Sequence, residues 1–194
     1  AKANSISCFR GSESDVLKRF YDAAVFAEAE YVIRITGDCP LVDPIIINDL
    51  ITLYFDKPYD FCGIATGAGV ANQSNINRFP DGLDAEMLSF KVLKETHNEA
   101  CVDFQREHVT PFIWKNKERY DSATLFSTTG DYSDLRWTVD NQVDFDFVEW
   151  IYKMLYPVNN EFNYLDVLKL LKKYPEAASN NHLIGKEGYE EFWE

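Results

Sequence analysis

A chain of 194 residues is long enough for one domain with a hydrophobic core, because roughly 70% of the unfolded surface is buried at this size. Hydrophobic residues make up 46% of the sequence and aromatic residues 15%, which excludes a disordered protein. The net charge of −13 argues against non-specific binding to nucleic acid or to an anionic membrane, because phosphate groups are repelled. A small phosphate-bearing substrate stays compatible with this charge, since a metal ion reverses the field locally.

Four cysteines lie far apart and form no C-x-x-C pair: Cys8, Cys39, Cys62 and Cys101. We therefore expect reduced thiols in a cytoplasmic protein. No apolar run approaches the ~20 residues of a membrane span, so no membrane partner is expected. Cys39 follows Asp38 directly, and it is either a reactive thiol or, as is more frequent, a small buried one.

The first part of the sequence predicts a strand, a helix and a second strand. Residues 5–10 (SISCFR) indicate a strand that runs into Gly11. Ser12 and Asp15 resemble a capping box, and the helix after them carries apolar residues at i, i+4 and i+8. With the next strand at residues 31–36, this order predicts parallel pairing through a right-handed crossover.

The stretch that organises the sequence is residues 31–44, YVIRITGDCPLVDP. Its strand breaks at Gly37 and leaves Asp38 just past the strand end. Asp43 and Pro44 then predict an N-cap followed by proline at the first helical position. A strand that ends in an acidic loop and leads into a helix is where open α/β sheets bind ligands. Asp38 is therefore the first candidate for the chemistry.

A helix, a strand and a long loop come next. The helix from Pro44 is expected to stop at Pro58, and residues 59–64 (YDFCGI) indicate a strand. Residues 65–76 predict a surface loop, which either lies near a site or has no role. Its GAGVAN segment lacks the G-x-G-x-x-G and G-x-x-x-x-G-K spacings of nucleotide-binding loops.

Residues 78–88 (RFPDGLDAEML) begin with a Pro-Asp-Gly turn signal. After the turn, acidic and apolar residues alternate as in a strand with one polar face. Asp84 and Glu86 would then point to the same side. This pair is either a solvated face, which is more frequent, or a set of acceptors for sugar hydroxyls.

Three further helices are predicted around residues 89–100, 103–117 and 164–174. Residues 121–129 and 135–139 are predicted to form a hairpin. His108 lies in the second of the helices. Taken alone, such a residue is more often a hydrogen-bonded structural histidine than a catalyst.

Asp140 repeats the arrangement found at Asp38, because it ends a strand and Asn141 caps the helix that follows. Asp144 and Asp146 form a D-x-D within that helix, where we expect them to splay apart into solvent. Asp38 and Asp140 are expected to meet at one edge of a shared parallel sheet. Magnesium prefers oxygen ligands, so two carboxylates with substrate phosphates make a plausible site. Strand-end aspartates are equally often helix caps, and that alternative stays open.

Five segments together resemble one known family. In chain order they are FRGSESDVLKRF, RITGDCPLVDP, FPDGLDAEMLSF, REHVTPFI and LRWTVDNQVDF. They look like the cytidylyltransferases of the spore-coat-polysaccharide-biosynthesis type, which are relatives of the CMP-acylneuraminate and CMP-KDO synthetases. The resemblance implies a Rossmann-like, nucleotide-diphospho-sugar-transferase (GT-A-like) α/β fold, with a mixed sheet flanked by helices.

The resemblance also implies an activity. Members of this family join a sugar to CMP from CTP and release pyrophosphate, with Mg²⁺ as cofactor, for surface polysaccharide or glycan synthesis. The implied partners are CTP and a small sugar, an acidic one in some relatives, and the family's habit favours a homodimer. Two alternatives remain. One is a non-catalytic remnant or interaction module of the same fold; the other is a metal-dependent glycosyltransferase, which needs a D-x-D at a strand end.

By motif position, the resemblance assigns roles to residues of this chain. Asp38 in TGDCP and Asp140 in TVDN match the catalytic, metal-binding aspartates. Arg10 and Gly37 would contact the nucleotide. The other matches fall on the substrate side, namely Arg34, Asp81, Gly82, Asp84, Glu86, Arg106, Glu107 and His108.

The sequence departs from the family pattern in two places. Relatives have D-T-x-E/D-D after the second aspartate, whereas residues 140–144 are DNQVD. Family members also begin with a strand and a Gly- and Lys/Arg-containing loop that cradles the triphosphate, and nothing before Ser5 matches it. We therefore expect residues 1–194 to be a single, incomplete domain without its N-terminal strands. Whether the chain is active or inactive alone stays open, and we expect the upstream segment to raise its thermal stability and CTP binding.

Overall fold

The computed structural model describes residues 5–66 and 77–179 of the chain. The GAGVAN segment and the C-terminal residues 180–194 lie outside the described residues. Within those ranges, no helix is long and apolar enough to cross a membrane.

The described residues form an α/β fold with four strands in one sheet. The helices are α1 (Val16–Phe26), α2 (Pro44–Asp56), α3 (Phe90–Glu99), α4 (Asp103–His108), α5 (Pro111–Lys115), α6 (Gln142–Leu155), α7 (Tyr164–Lys173) and α8 (Pro175–Ser179). The strands are β1 (Tyr31–Arg34), β2 (Phe61–Ile64), β3 (Glu86–Ser89) and β4 (Ser122–Leu125), in the spatial order β1-β3-β2-β4. The predicted α/β class, with a mixed sheet flanked by helices, is confirmed.

One compact unit comprises Ala1–Arg34, Tyr54–Cys62 and Met87–Ala123. In it, α1 packs against α3 and α4. Asp15 caps α1, because its side chain accepts the Lys18 N–H at 2.9 Å, and Ser89 caps α3. The fully buried side chains of this unit include Leu17, Phe61, Leu93 and Ile113.

The second unit comprises Ile35–Leu53, Gly63–Glu86 and Thr124–Glu194. Its helices α6 and α7 pack together. Asp43 joins the starts of α2 and α7, since its two carboxylate oxygens accept the main-chain N–H groups of Ile45 and Tyr164, each at 2.7 Å. The fully buried side chains of this unit include Leu50, Leu83, Trp137 and Ile151. The single domain over residues 1–194 stays a prediction.

The predicted first strand is wrong. Residues 5–10 form no strand, and Ile6 is 63% exposed. A strand is held by hydrogen bonds to a neighbouring strand, and the segment has no such partner among the described residues. The expected strand–helix–strand crossover therefore does not begin here.

The predicted helix at residues 103–117 is two short helices, α4 and α5. Between them Val109 has φ of 72°, outside the helical region. Pro111 has no N–H to continue the helical ladder, and its ring would clash with the carbonyl of Glu107. The proline instead occupies the first turn of α5, where it is tolerated.

The predicted hairpin between residues 121–129 and 135–139 is also wrong. Residues 135–139 approach Asp81 instead, through a parallel bridge between Asp81 and Arg136. The main-chain N–H of Asp81 donates to the carbonyl oxygen of Leu135 at 2.9 Å, and the main-chain N–H of Trp137 donates to the carbonyl oxygen of Asp81 at 2.7 Å. This pairing places Arg136 in the interior of the second unit, with 9% of its surface exposed.

Candidate functional site

The structure brings Asp38 and Asp140 close together along the backbone. The expected meeting at the edge of a shared parallel sheet is wrong, because residues 135–139 form only an isolated bridge and no strand of the sheet. The Val139 N–H donates to the carbonyl oxygen of Asp38 at 2.8 Å, and Asp140 is the next residue. Asp38 follows the end of β1, and Asp140 precedes Asn141, the N-cap of α6. Asp38 is half-buried, while the Asp140 side chain is 57% exposed. Both aspartates therefore lie in the same part of the second unit.

Sequence reasoning did not identify Arg136, a cation in contact with Asp140. It donates to Asp144 through Nη1 at 2.7 Å and to Asp140 through Nη2, and its Nε lies 3.9 Å from Asp81. A single arginine within the apolar run LRWTV, four residues before Asp140, is the sequence signal that could have indicated it.

The expectation that Asp144 is solvated is wrong. Asp144 is 1% exposed and occupies the N3 position of a capping box at the start of α6. In this box the N3 side chain turns back to the N-terminus, where it accepts the main-chain N–H groups of Asp140 at 2.9 Å and Asn141 at 3.2 Å. Asp146 is exposed. The D-x-D therefore offers no pair of available carboxylates.

Asp81 is buried beside other acidic groups. Burial and, after it, the charge of Asp84 raise its pKa to about 7, and Arg136 opposes the shift. Asp38 and Asp140 also raise the pKa of Asp81. We call Asp38, Asp81, Asp84 and Asp140 the carboxylate cluster. A cation bound at this cluster would relieve the repulsion between its members.

Asp84 and Glu86 do not form a solvated face. Asp84 precedes β3 and accepts the Gly82 N–H at 2.9 Å and the Thr66 hydroxyl, while Glu86 is only 8% exposed. Gly82 has φ of 97° in the turn that Asp84 holds. The hydrogen bonds of Asp84 therefore stabilise this turn, and its contact with a substrate stays a prediction.

Cys39 is a buried, neutral thiol. Burial and the charges of Asp84, Asp38 and Asp81 raise its pKa to about 12, although the hydroxyl of Thr36, 3.0 Å away, opposes the shift. At this pKa the reactive thiolate is negligible at neutral pH. The structure therefore supports the buried thiol and not the reactive one.

Several predicted site residues belong to the first unit, whereas the residues of the carboxylate cluster belong to the second. Arg10 and Glu107 are exposed, Arg34 lies in β1, and the His108 ring packs 4.9 Å from that of Phe104. Arg106 binds Asp15 at 2.7 Å. Gly37, beside Asp38 in the second unit, is exposed. The roles expected for these residues at the nucleotide and substrate stay predictions.

The donor set at Asp38 and Asp140 fits magnesium. Among residues 5–66 and 77–179, no group of three His, Cys, Asp or Glu side chains could enclose a metal ion alone. Two carboxylate ligands suit Mg²⁺ nevertheless, because it usually keeps several waters and takes its other ligands from substrate phosphates. The half-buried Asp38 and the exposed Asp140 leave such positions open to a ligand.

The chain is similar to known proteins in sequence and in fold. A family model described as cytidylyltransferase matches residues 2–174. The uncharacterized protein MJ1063 of Methanocaldococcus jannaschii is 28% identical over 96% of this chain and 71% of its own length. The spore coat polysaccharide biosynthesis protein SpsF of Bacillus subtilis is 27% identical over 88% of this chain and 67% of its own. The solved structure of a cytidylyltransferase from Leptospira borgpetersenii covers 95% of this chain and 73% of its own, with 26% identity and a TM-score of 0.79.

Proposed function

The chain belongs to the cytidylyltransferase family, and from this premise we propose that it transfers a cytidylyl group from CTP to a sugar and releases pyrophosphate. The family that the five sequence segments indicated is confirmed. The similarity to a spore coat polysaccharide biosynthesis protein supports a product used in polysaccharide synthesis. A cytoplasmic location and a homodimer stay predictions.

The contact between Val139 and Asp38 carries this proposal. It joins the two segments that sequence reasoning picked out separately, 102 positions apart, and it sets Asp140 beside Asp38. Two carboxylate ligands from segments far apart in sequence, with Asp81 and Asp84 in the same unit, suit a cation together with a bound triphosphate. Helix capping does not account for the pair, because Asn141 and Asp144 cap α6 while Asp140 stays exposed.

Asp38 and Asp140 would hold the Mg²⁺ ion. When bound there, the ion supplies positive charge that neutralises the triphosphate. The acidic chain itself repels CTP, so productive binding would depend on this charge. The chain's own contribution is to present these two carboxylates in one part of the second unit.

We propose that the sugar oxygen attacks the α-phosphate directly, with no covalent enzyme intermediate. The buried Cys39, whose pKa is raised to about 12, is not an activated nucleophile beside Asp38. The protein would act by positioning the two substrates. Arg10 and Gly37 would contact the nucleotide. The substrate side would comprise Asp81, Gly82, Asp84 and Glu86 of the second unit. The roles expected for Arg34, Arg106, Glu107 and His108 stay predictions.

The test is sugar-dependent release of pyrophosphate from CTP. The protein is incubated with CTP, Mg²⁺ and a panel of neutral and acidic sugars; pyrophosphate is measured by a coupled assay and the CMP-sugar by mass spectrometry. We expect activity that EDTA, Asp38→Asn and Asp140→Asn each abolish. Asp146→Asn, which removes the same charge from an exposed position of the second unit, should retain it.

CTP protection in thermal melting separates the activity from the alternatives. Mg²⁺-dependent protection that Asp38→Asn removes, without turnover of any sugar, would favour the non-catalytic remnant. Pyrophosphate release that is unchanged in Asp38→Asn would remove this residue from the mechanism. The D-x-D of Asp144 and Asp146 does not support the glycosyltransferase alternative, because Asp144 binds Arg136 and the N-terminus of α6.

A further inference from the structure

We propose that Arg136 is a positioning residue that orients Asp140 for cation binding, with Asp144 as its anchor. The inference rests on the proposed function, in which Asp38 and Asp140 hold the metal ion. The Arg136 side chain is 10% exposed and is enclosed in the second unit. No contact of Arg136 itself with the metal or the substrate is required.

Asp144 fixes the guanidinium from its buried side. One oxygen of Asp144 accepts a hydrogen bond from Nη1 of Arg136 at 2.7 Å. The other oxygen accepts hydrogen bonds from the main-chain N–H groups of Asp140 and Asn141. Asp144 is 1% exposed, so these bonds are shielded from competing water. The guanidinium plane is therefore fixed relative to the first turn of α6.

The fixed guanidinium holds Asp140 by one oxygen. Nη2 of Arg136 donates to Oδ2 of Asp140. Oδ1 of Asp140 makes no hydrogen bond to any residue in the ranges 5–66 and 77–179. The Asp140 side chain is 57% exposed, so this oxygen is accessible from solvent. Asp140 therefore has one oxygen held in place by the fold and one oxygen available to a cation.

A competing role for Arg136 predicts the opposite effect. A guanidinium that merely occupied the place of the metal ion would weaken cation binding by repulsion. A positioning residue strengthens binding, and loss of such a partner behind a metal ligand typically costs about 10–100-fold in affinity. The geometry points to the second role, because Asp144 and not Asp140 is the buried partner of Arg136.

The test uses Mn²⁺ as the probe, titrated without nucleotide and followed by the electron paramagnetic resonance signal of the free ion. Arg136→Lys keeps the charge, but a single ammonium group cannot hold Asp140 and Asp144 in the same fixed geometry. We expect the Kd for Mn²⁺ to rise about tenfold or more. The competing role predicts no change, because the charge is retained.

A second variant avoids leaving Asp144 as a buried charge without its partner. Arg136→Gln combined with Asp144→Asn removes the buried ion pair as a whole and leaves the net charge unaltered. The same rise in Kd is expected. The matched control is Arg119→Gln combined with Glu99→Gln, because this ion pair is exposed and lies in the other unit. Its Kd for Mn²⁺ should equal that of the wild type.

Each outcome separates this inference from the proposed function. Lower melting temperatures with an unchanged or tighter Kd in both Arg136 variants would make Arg136 merely structural and overturn the inference. If Asp38→Asn removes Mn²⁺ binding while both Arg136 variants bind normally, only the positioning role fails. If wild type binds no Mn²⁺, or Asp38→Asn binds it as wild type does, the metal pair fails and the inference fails with it.

Discussion

Arg106 binds Asp15 across 91 positions of sequence, with Nε and Nη2 donating to its two carboxylate oxygens at 3.1 and 2.7 Å. Its Nη1 donates to the carbonyl oxygens of His97 at 2.8 Å and Ala100 at 3.2 Å. One guanidinium thus joins the N-cap of α1 and the end of α3 to α4. Arg106, which begins the segment REHVTPFI, therefore stabilises the fold of the first unit.

Arg106→Lys should therefore lower the free energy of unfolding by about 2 kcal/mol, because one ammonium group cannot serve four acceptors. Urea denaturation measures the loss. Arg119→Lys is the control, since Arg119 pairs with Glu95 and Glu99 at an exposed position, and its cost should stay below about 0.5 kcal/mol. Lost activity with full stability in Arg106→Lys would instead place Arg106 at the substrate.

Asp81 should make the protein less stable as the pH rises. Its pKa is raised from the ordinary 3.8 to about 7, mainly by burial, so between these values the folded state keeps a proton that the unfolded state has lost. Stability then falls with rising pH by up to roughly 1.4 kcal/mol per pH unit, the limit for one proton. Urea denaturation from pH 4 to 8 in EDTA, compared with Asp81→Asn, isolates this contribution.

The expected difference is a smaller fall in stability with pH in Asp81→Asn than in wild type. His97, whose pKa is lowered by burial, contributes the opposite slope near its own pKa, and it does so in both proteins. Asp146→Asn, an exposed change of the same charge, should leave the wild-type slope intact. Parallel curves for wild type and Asp81→Asn would contradict a raised pKa at Asp81.

The four cysteines should divide into two reactive and two unreactive thiols. Cys8 and Cys101 are exposed, whereas burial raises the pKa of Cys39 to about 12 and that of Cys62 to about 11. Iodoacetamide at pH 8, followed by mass spectrometry, should alkylate the first pair at least about tenfold faster. All four should react in urea. Equal rates for Cys39 and Cys101 in the folded protein would contradict the buried thiol.

The features that depend on a few neighbouring residues were predictable from the sequence. Asp43, Ser89 and Asn141 are caps in the structure, because a cap needs only its own side chain and the next three main-chain N–H groups. Asp38 and Asp140 became candidates for the same reason, since each follows an apolar stretch and precedes a helix, and their role stays a prediction.

The features that depend on distant pairing were not predictable. Residues 5–10 have the composition of a strand, but they have no neighbouring strand in the described part of the chain. Arg136 was missed because residues 135–139 were assigned to a hairpin, where alternate side chains face solvent. Their actual bridge to Asp81 buries Arg136 and places it among the carboxylates.

Gly82 is required by that same bridge, and Gly82→Ala should lower the free energy of unfolding by about 3 kcal/mol or more. Its φ is 97°, and a Cβ there would lie 2.6 Å from the carbonyl carbon of Trp137, a main-chain atom that cannot rotate away. Thermal and urea denaturation measure the loss. Gly37→Ala is the control, because a Cβ at Gly37 meets nothing within 4 Å, and its cost should stay within about 0.5 kcal/mol. Equal stability of the two variants would mean that the turn at Gly82 is not held against Trp137.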